Sequence, residues 1–384
     1  MEDWKNGGFG IYIHWPFCAA KCPYCDFNSH VRKSVDQSRW LSALKFELQN
    51  NAKRTSGRIV NTIFFGGGTP SLMNPETVAG IVEEIAKLWT LAPNAEITLE
   101  ANPTSVEAKK FSNFGEAGIN RISMGIQSLR DVDLKALGRM HSVSEAREAF
   151  EIAKDSFKKV SFDLIYARQG QSIESWKAEL HEAAAMAVDH LSLYQLTIEA
   201  GTRFGELYDR GNLRDLPDDG LAADMYDVTQ DLGMLYDMPA YEVSNHARKG
   251  AQSQHNLIYW RYGDYVGVGP GAHGRISFNE QRIATSTTQN PEDWLRNVEL
   301  HGTATSDDEI IAPIDQASEY LMMSLRLTEG SDMRRYQSLS GKQLNSQVID
   351  NNIENKLLTI NKNHLIATPR GRIILNTLLK DLLV

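Results

Sequence analysis

The chain alternates short runs of apolar and β-branched residues with longer stretches whose apolar positions recur every three to four residues. This alternation is the signature of strands followed by amphipathic helices, and it predicts a βα-repeat fold on a parallel sheet. Strands are predicted at Gly10–His14, Ile59–Phe65, Ile97–Glu100, Arg121–Met124, Val160–Ile165 and Leu191–Leu193. Helices are predicted over Ser38–Asn50, Pro75–Leu88, Val106–Phe114, Ser144–Lys154, Ile173–Ala187 and Asp218–Leu235. Six such units make an α/β fold, a partial (β/α)6 barrel, in which ligands gather at the carboxyl ends of the strands.

After about Gly302 the rhythm changes. Helical patterns around Ile314–Leu327, Met333–Leu339 and Leu344–Asn355 lead into two alternating runs about an Asn-Lys-Asn turn and a last helix from Arg370 to Leu382. Three helices and a hairpin predict a smaller α+β domain resembling a winged helix, with the barrel over residues 1–300 and this domain over 301–384. From Ile314 to Val384 nine Lys or Arg face seven Asp or Glu, a balance of +2. A DNA reader carries a stronger basic footprint, so no nucleic-acid partner is expected and a packing or partner domain is favoured.

Composition narrows the classes further. At 384 residues and 42% hydrophobic the chain can bury a large core, and its net charge of −9 disfavours broad binding to nucleic acid or anionic lipid. No apolar run reaches membrane-spanning length and the amino terminus lacks a secretory pattern, so a cytoplasmic protein is expected, with peripheral membrane contact left open. The chain has three cysteines, all between Cys18 and Cys25. An odd, clustered set of this kind is not a disulfide framework.

That cluster lies in YIHWPFCAAKCPYCDFNSH, a C-x3-C-x2-C loop directly after the first predicted strand. Three thiolates at this spacing can hold a four-iron, four-sulfur cubane, leaving one iron without a cysteine. An open iron can accept the amino and carboxylate groups of S-adenosylmethionine, which sets its sulfonium beside the cluster for reductive cleavage. Trp15, Phe17, Tyr24 and Phe27 are expected to shield the cluster from water. A zinc site closed by His14, Asp26 or His30 is the competing metal reading. Glycines 66–68 and Thr69 end the second strand, where backbone groups can hold an amino acid moiety. Glu100 and Gln127 follow at the third and fourth strand ends, with Arg139 and Asp163 beyond. A carboxylate suits ribose hydroxyls, and an arginine suits the cofactor carboxylate.

With an aromatic before the last cysteine, the motif resembles the radical S-adenosylmethionine superfamily. The order and spacing of the remaining residues are similar to its coproporphyrinogen oxidase-like branch, over nearly the whole chain. The resemblance implies that Cys18, Cys22 and Cys25 bind the cluster. It also implies that Tyr12, Tyr24, Gly67, Gly68, Thr69, Glu100, Gln127, Arg139 and Asp163 contact S-adenosylmethionine. One loop departs from the branch: many relatives read GLPGQ after DLIY, where this chain reads Ala167-Arg168-Gln169-Gly170-Gln171.

Two features divide the branch. Oxidase-type members carry a fourth cysteine two places after the third, where this chain has Phe27, and the pattern with phenylalanine resembles the heme chaperones. QHNLIYW at Gln254–Trp260 likewise resembles the chaperones and offers a histidine among aromatics for a porphyrin. His255 is the candidate axial ligand and His273 the second. The resemblance therefore implies a protein that binds heme and passes it to heme-accepting proteins. An oxygen-independent coproporphyrinogen III oxidase is the alternative, and a cluster-sensing winged-helix regulator is a third reading from another class.

Overall fold

The computed structural model describes residues 2–383. Its main sheet has eleven strands, numbered here in chain order: β1 (Phe9–Trp15), β2 (Ile59–Gly67), β3 (Thr90–Ala101), β4 (Arg121–Gln127), β5 (Lys159–Tyr166), β6 (His190–Gln195), β7 (Asn245–Ala247), β8 (Asp264–Val268), β9 (His273–Phe278), β10 (Gln281–Thr287) and β11 (Thr305–Ile310). All six predicted strands are present as β1 to β6, in parallel and in sequence order. Sequence reading missed β8, which pairs in parallel with the free edge of β1. From there β9, β10 and β11 extend the sheet as antiparallel neighbours.

The helices start where local chemistry satisfies their first amides. Asp36, Ser172 and Asp218 cap Gln37–Ala52, Ile173–Met186 and Asp219–Leu235, while Ser142 and Glu145 form a reciprocal capping box on Val143–Ser156. The helix expected at Val106–Phe114 is instead two short ones, Ser105–Ala108 and Phe111–Glu116. Alternate β1 residues Phe9, Ile11, Ile13 and Trp15 are fully buried in the main core, so Tyr12 and His14 lie on the concave side, as strand periodicity requires. Strand ends there gather the functional residues.

The carboxyl-terminal part has the expected helix–helix–helix–hairpin order: Pro313–Ser324, Met333–Ser340, Ser346–Glu354, then the strands Leu358–Asn361 and His364–Ala367. It has its own core around Leu321, Leu325, Leu365 and Leu378. The final helix is broken at Ile374 into Pro369–Ile373 and Leu375–Leu382. The expected boundary at residue 300 falls too early, because β11 pairs with β10 and so belongs to the main sheet. Among the described residues no helix is long and apolar enough to cross a membrane.

Candidate cofactor site and adjoining cavity

The cysteine loop leaves the carboxyl end of β1 and is closed at its base by a short parallel pairing of Phe17–Cys18 with His30–Val31. His30 N donates to the carbonyl of Pro16 (2.7 Å) and Arg32 N to that of Cys18 (3.2 Å). Beneath this base, Trp15 and Phe17 pack edge-on against Trp40 at 5.7 and 4.9 Å, and Trp40 stacks on Trp294. This corrects the shielding expectation: Trp15 and Phe17 are core residues that anchor the loop, and only Tyr24 and Phe27 of the four line the cavity.

All three thiols line one cavity of about 200 Å³. Thr69 Oγ1 donates to Cys18 Sγ (3.4 Å), Arg139 Nη1 to Cys22 Sγ (3.3 Å), and Ser29 Oγ lies 4.0 Å from Cys25 Sγ. Burial pushes the Cys18 and Cys25 thiols up, so their deprotonation is linked to metal loading. Of the fourth ligands open to zinc, His14 has both ring nitrogens engaged, by Tyr12 Oη at 3.0 Å and the carbonyl of Asn28 at 2.9 Å, and His14, Asp26 and His30 all line the neighbouring cavity and not the one that holds the thiols.

Tyr24, Gly67, Gly68, Thr69, Glu100, Gln127, Arg139 and Asp163 line the same cavity as the thiols, so eight of the expected contacts converge from six different segments. Tyr12 stands apart, lining the neighbouring cavity instead. The amides of Gly68 and Thr69 donate to the carbonyls of Trp15 and Phe17 (2.7 and 2.9 Å) and that of Gly67 to Glu100 Oε2 (3.3 Å). They are therefore committed within the protein. A Cβ on Gly68 would sit 2.8 Å from the Phe17 carbonyl and 3.0 Å from Cys18 Sγ, and Gly67 has φ +111°. Glycine is needed here so that the cluster loop can lie against β2.

Glu100 and Asp163 are half-buried in the wall of this cavity. Burial, reinforced by Asp163, pushes Glu100 up to about 8. Burial pushes Asp163 up to about 7, against a hydrogen bond from Ser192 and the nearby Arg139. Arg139 Nη2 donates to Asn102 Oδ1 (2.6 Å) and to the carbonyl of Gly125 (2.8 Å), while Asn102 Nδ2 donates to Thr69 Oγ1 (3.3 Å). Asn102 was missed by the sequence reading, although its place two residues after Glu100 at a strand end could have signalled it.

Two buried polar atoms in this cavity, Gln127 Oε1 and Arg139 Nε, have no partner. Gln127 also holds a left-handed backbone, φ 73°. Three thiols, two acidic groups and two unpaired polar atoms lining one cavity fit a cubane bearing S-adenosylmethionine, whose amino acid and ribose groups would complete those contacts. When bound, the cluster supplies an electron to the sulfonium. Glu100 and Asp163 would be the acceptors for the cofactor's hydroxyls, and Arg139 lies beside Cys22.

A second cavity, of about 800 Å³, shares Lys21, Phe27, Ser29, Gly67 and Glu100 with the first. Its wall includes Tyr12, His14, Tyr259 and Tyr265, and His273 stands exposed on it at the start of β9. His255 corrects the sequence reading. It lies on the short helix Gln254–Trp260, fully buried, with Nδ1 2.6 Å from Thr62 Oγ1 and Nε2 2.7 Å from Tyr259 Oη. Both ring nitrogens are used, and burial lowers its pKa to about 3. Tyr259, not His255, is the member of that helix's HNLIYW run that reaches the cavity together with Trp260. An aromatic-flanked histidine in a sequence does not reveal which neighbour takes the surface.

Comparison with known proteins agrees with this geometry. Residues 12–183 match the Radical SAM superfamily and residues 311–374 the HemN C-terminal domain. The chain is 38% identical to heme chaperone HemW of Haemophilus influenzae, covering 96% of each chain. It is 37% identical to the mouse mitochondrial radical S-adenosyl methionine domain-containing protein 1, covering 97% of this chain and 87% of the relative. The fold matches coproporphyrinogen III oxidase HemN of Escherichia coli with a TM-score of 0.82 at 18% identity, over 99% of this chain and 92% of that one. By its cysteine loop, its barrel and these relatives, the chain belongs to the radical S-adenosylmethionine superfamily, in the HemN-like branch near HemW.

Proposed function

We propose that this protein is a heme chaperone, which holds a four-iron, four-sulfur cluster with S-adenosylmethionine, binds heme beside them and delivers it to heme-accepting proteins. The observation that carries the reading is the 800 Å³ cavity sharing a wall with the cofactor site. Its size suits a large cofactor, and the rings of Tyr12, Tyr259 and Tyr265 offer apolar faces to a porphyrin. Phe27, 58% exposed between the two cavities, stands where oxidases carry a fourth cysteine. His273, the exposed one of the three histidines on this cavity, would ligate the heme iron, and His255 holds Tyr259 from behind. The relatives named as heme chaperones support the same conclusion.

The test is heme titration of the anaerobically reconstituted protein, followed by its Soret band, alongside complementation of cells lacking every coproporphyrinogen oxidase. Stoichiometric binding without growth rescue is expected. His273→Ala should change the ligation spectrum, whereas His255→Ala should weaken binding and keep the spectrum. Growth rescue would restore the oxidase reading. Loss of the ligation signature in His255→Ala alone would move the ligand to His255, at the expense of its bond to Tyr259.

A further inference from the structure

Resting on the heme reading, we infer that Arg275 reads a carboxylate of the porphyrin, and that Glu319 occupies the guanidinium in its place when no cargo is bound. Arg275 lies two residues after His273 on β9, so both side chains leave the same face of the strand, about 7 Å apart along it. Both line the large cavity. One strand face thus presents a group for an iron and a group for a carboxylate at a fixed spacing.

The guanidinium already holds a carboxylate. Arg275 Nη2 and Nε donate to Glu319 Oε1 at 3.0 and 3.2 Å, and Nε also reaches Oε2 at 3.3 Å. Tyr262 Oη donates to Glu319 Oε2 at 2.8 Å. Glu319 comes from the first helix of the carboxyl-terminal domain, Pro313–Ser324, and it lines the cavity too. The pair is only partly covered, with about a quarter of each side chain exposed. Replacing Glu319 by another carboxylate would keep the guanidinium paired. Exchanging one carboxylate for another at the same planar fork is therefore inexpensive.

The other cations around the cavity are less suited to the exchange. Both terminal nitrogens of Arg282 are committed, to Asp264 Oδ1 and the carbonyl of Gly263, each at 2.8 Å, and the residue is buried. Lys21 is exposed and offers a point charge without a fork. Displacing Glu319 also frees a contact of Pro313–Ser324 with the barrel, so the carboxyl-terminal domain would register whether the cavity is filled.

The test compares heme with its dimethyl ester, in which both propionates are blocked, on the cluster-loaded protein. The wild type should bind heme roughly 10- to 100-fold tighter than the diester, the range expected for a lost hydrogen bond to a charged group. Arg275→Lys should reduce that ratio at least several-fold while leaving the iron content and S-adenosylmethionine affinity unchanged. Glu319→Gln should tighten heme binding and leave the diester unaffected. Equal heme and diester affinity in the wild type, or an unchanged ratio in Arg275→Lys, would overturn the inference and leave heme binding intact. Unchanged heme affinity in Glu319→Gln would make the pair a domain contact alone. Failure of the wild type to bind heme at all would instead remove the reading on which the inference rests.

Discussion

Glu100 and Asp163 hold the least comfortable charges in the cofactor site, because both are drawn out of water and Glu100 also sits in the field of Asp163. Their folded pKa values, about 8 and about 7, exceed the ordinary values of carboxyls in an unfolded chain, near 4. Folding therefore retains protons that unfolding releases. The associated stability is fully present below about pH 4 and is lost as pH rises through 7 to 8. The cluster-free protein should accordingly melt at a lower temperature at pH 8.5 than at pH 6, and Glu100→Gln should flatten that slope. A melting temperature that falls just as steeply in Glu100→Gln would contradict the assignment. Hydroxyl donors and a sulfonium favour the ionised carboxylates, so S-adenosylmethionine affinity should strengthen over the same interval. Asp163→Ala should lower that affinity about 10- to 100-fold without changing the iron content, since removing a charged acceptor costs about 1.5–3 kcal/mol. Unchanged affinity would remove Asp163 from the site.

The loop after β5 shows how an element can depart from its branch and still serve the site. Where many relatives have glycine, Ala167 adopts φ 56°. Arg168 then turns inward, 4% exposed, and donates to Asp133 Oδ2 at 2.7 Å, Glu179 Oε2 at 2.6 Å and the carbonyl of Ile165. The other oxygen of Glu179 accepts from Ser128 Oγ and Leu129 N, each at 2.6 Å. These two residues directly follow Gln127, so the unusual loop braces the end of β4. Arg168→Ala would strand the fully buried Glu179, and a loss of about 3–5 kcal/mol is expected in denaturant unfolding. Arg168→Ala combined with Glu179→Gln should recover part of it. Ala167→Gly should stabilise by about 0.5–1 kcal/mol, as relief of left-handed strain exceeds the added flexibility of the unfolded chain. A destabilised Ala167→Gly protein would show that the strain is absent.

At the scale of the molecule, the two cores are tied by a few charged contacts around one bend of the chain. Arg335 of the carboxyl-terminal domain grips Asp3 at 2.7 Å and donates to the carbonyl of Arg261 at 2.8 Å, while Arg261 pairs with Glu329. Tyr262, beside that bend, packs in the carboxyl-terminal core. Arg335→Ala should raise hydrogen exchange in Pro313–Ser324 and Met333–Ser340 while cluster content stays unchanged, because the three cysteines lie in the barrel. Equal exchange in the variant would show that Arg335 does not join the two parts. The winged-helix topology of this domain carries a balance of only +2 from Ile314 to Val384. No salt-sensitive shift of duplex DNA is expected at physiological ionic strength, and a shift that fades with added salt would revive the regulator reading.

The cluster loop, the six βα units and the winged-helix order were legible in the sequence because each is written in local spacing: C-x3-C-x2-C, alternating strands, periodic helices and capping residues. The convergence of Glu100, Gln127 and Asp163 also followed from a local rule, since successive parallel strands deliver their ends to one side, whereas Arg139 arrives from the loop after Asp131–Ala136. What the pattern of residues could not decide was contact between distant segments. β8 pairs with β1 across more than two hundred residues, and its run DYVGV reads no differently from a loop until that edge is free to receive it. The burial of His255 depends on Thr62 and Tyr259 both lying within hydrogen-bonding distance. The pairing of Arg275 with Glu319 depends on a second domain docking against β9. Periodicity is set by the chain's own geometry, whereas these choices are made by whichever surfaces exclude water together, and only the folded structure brings those surfaces into contact.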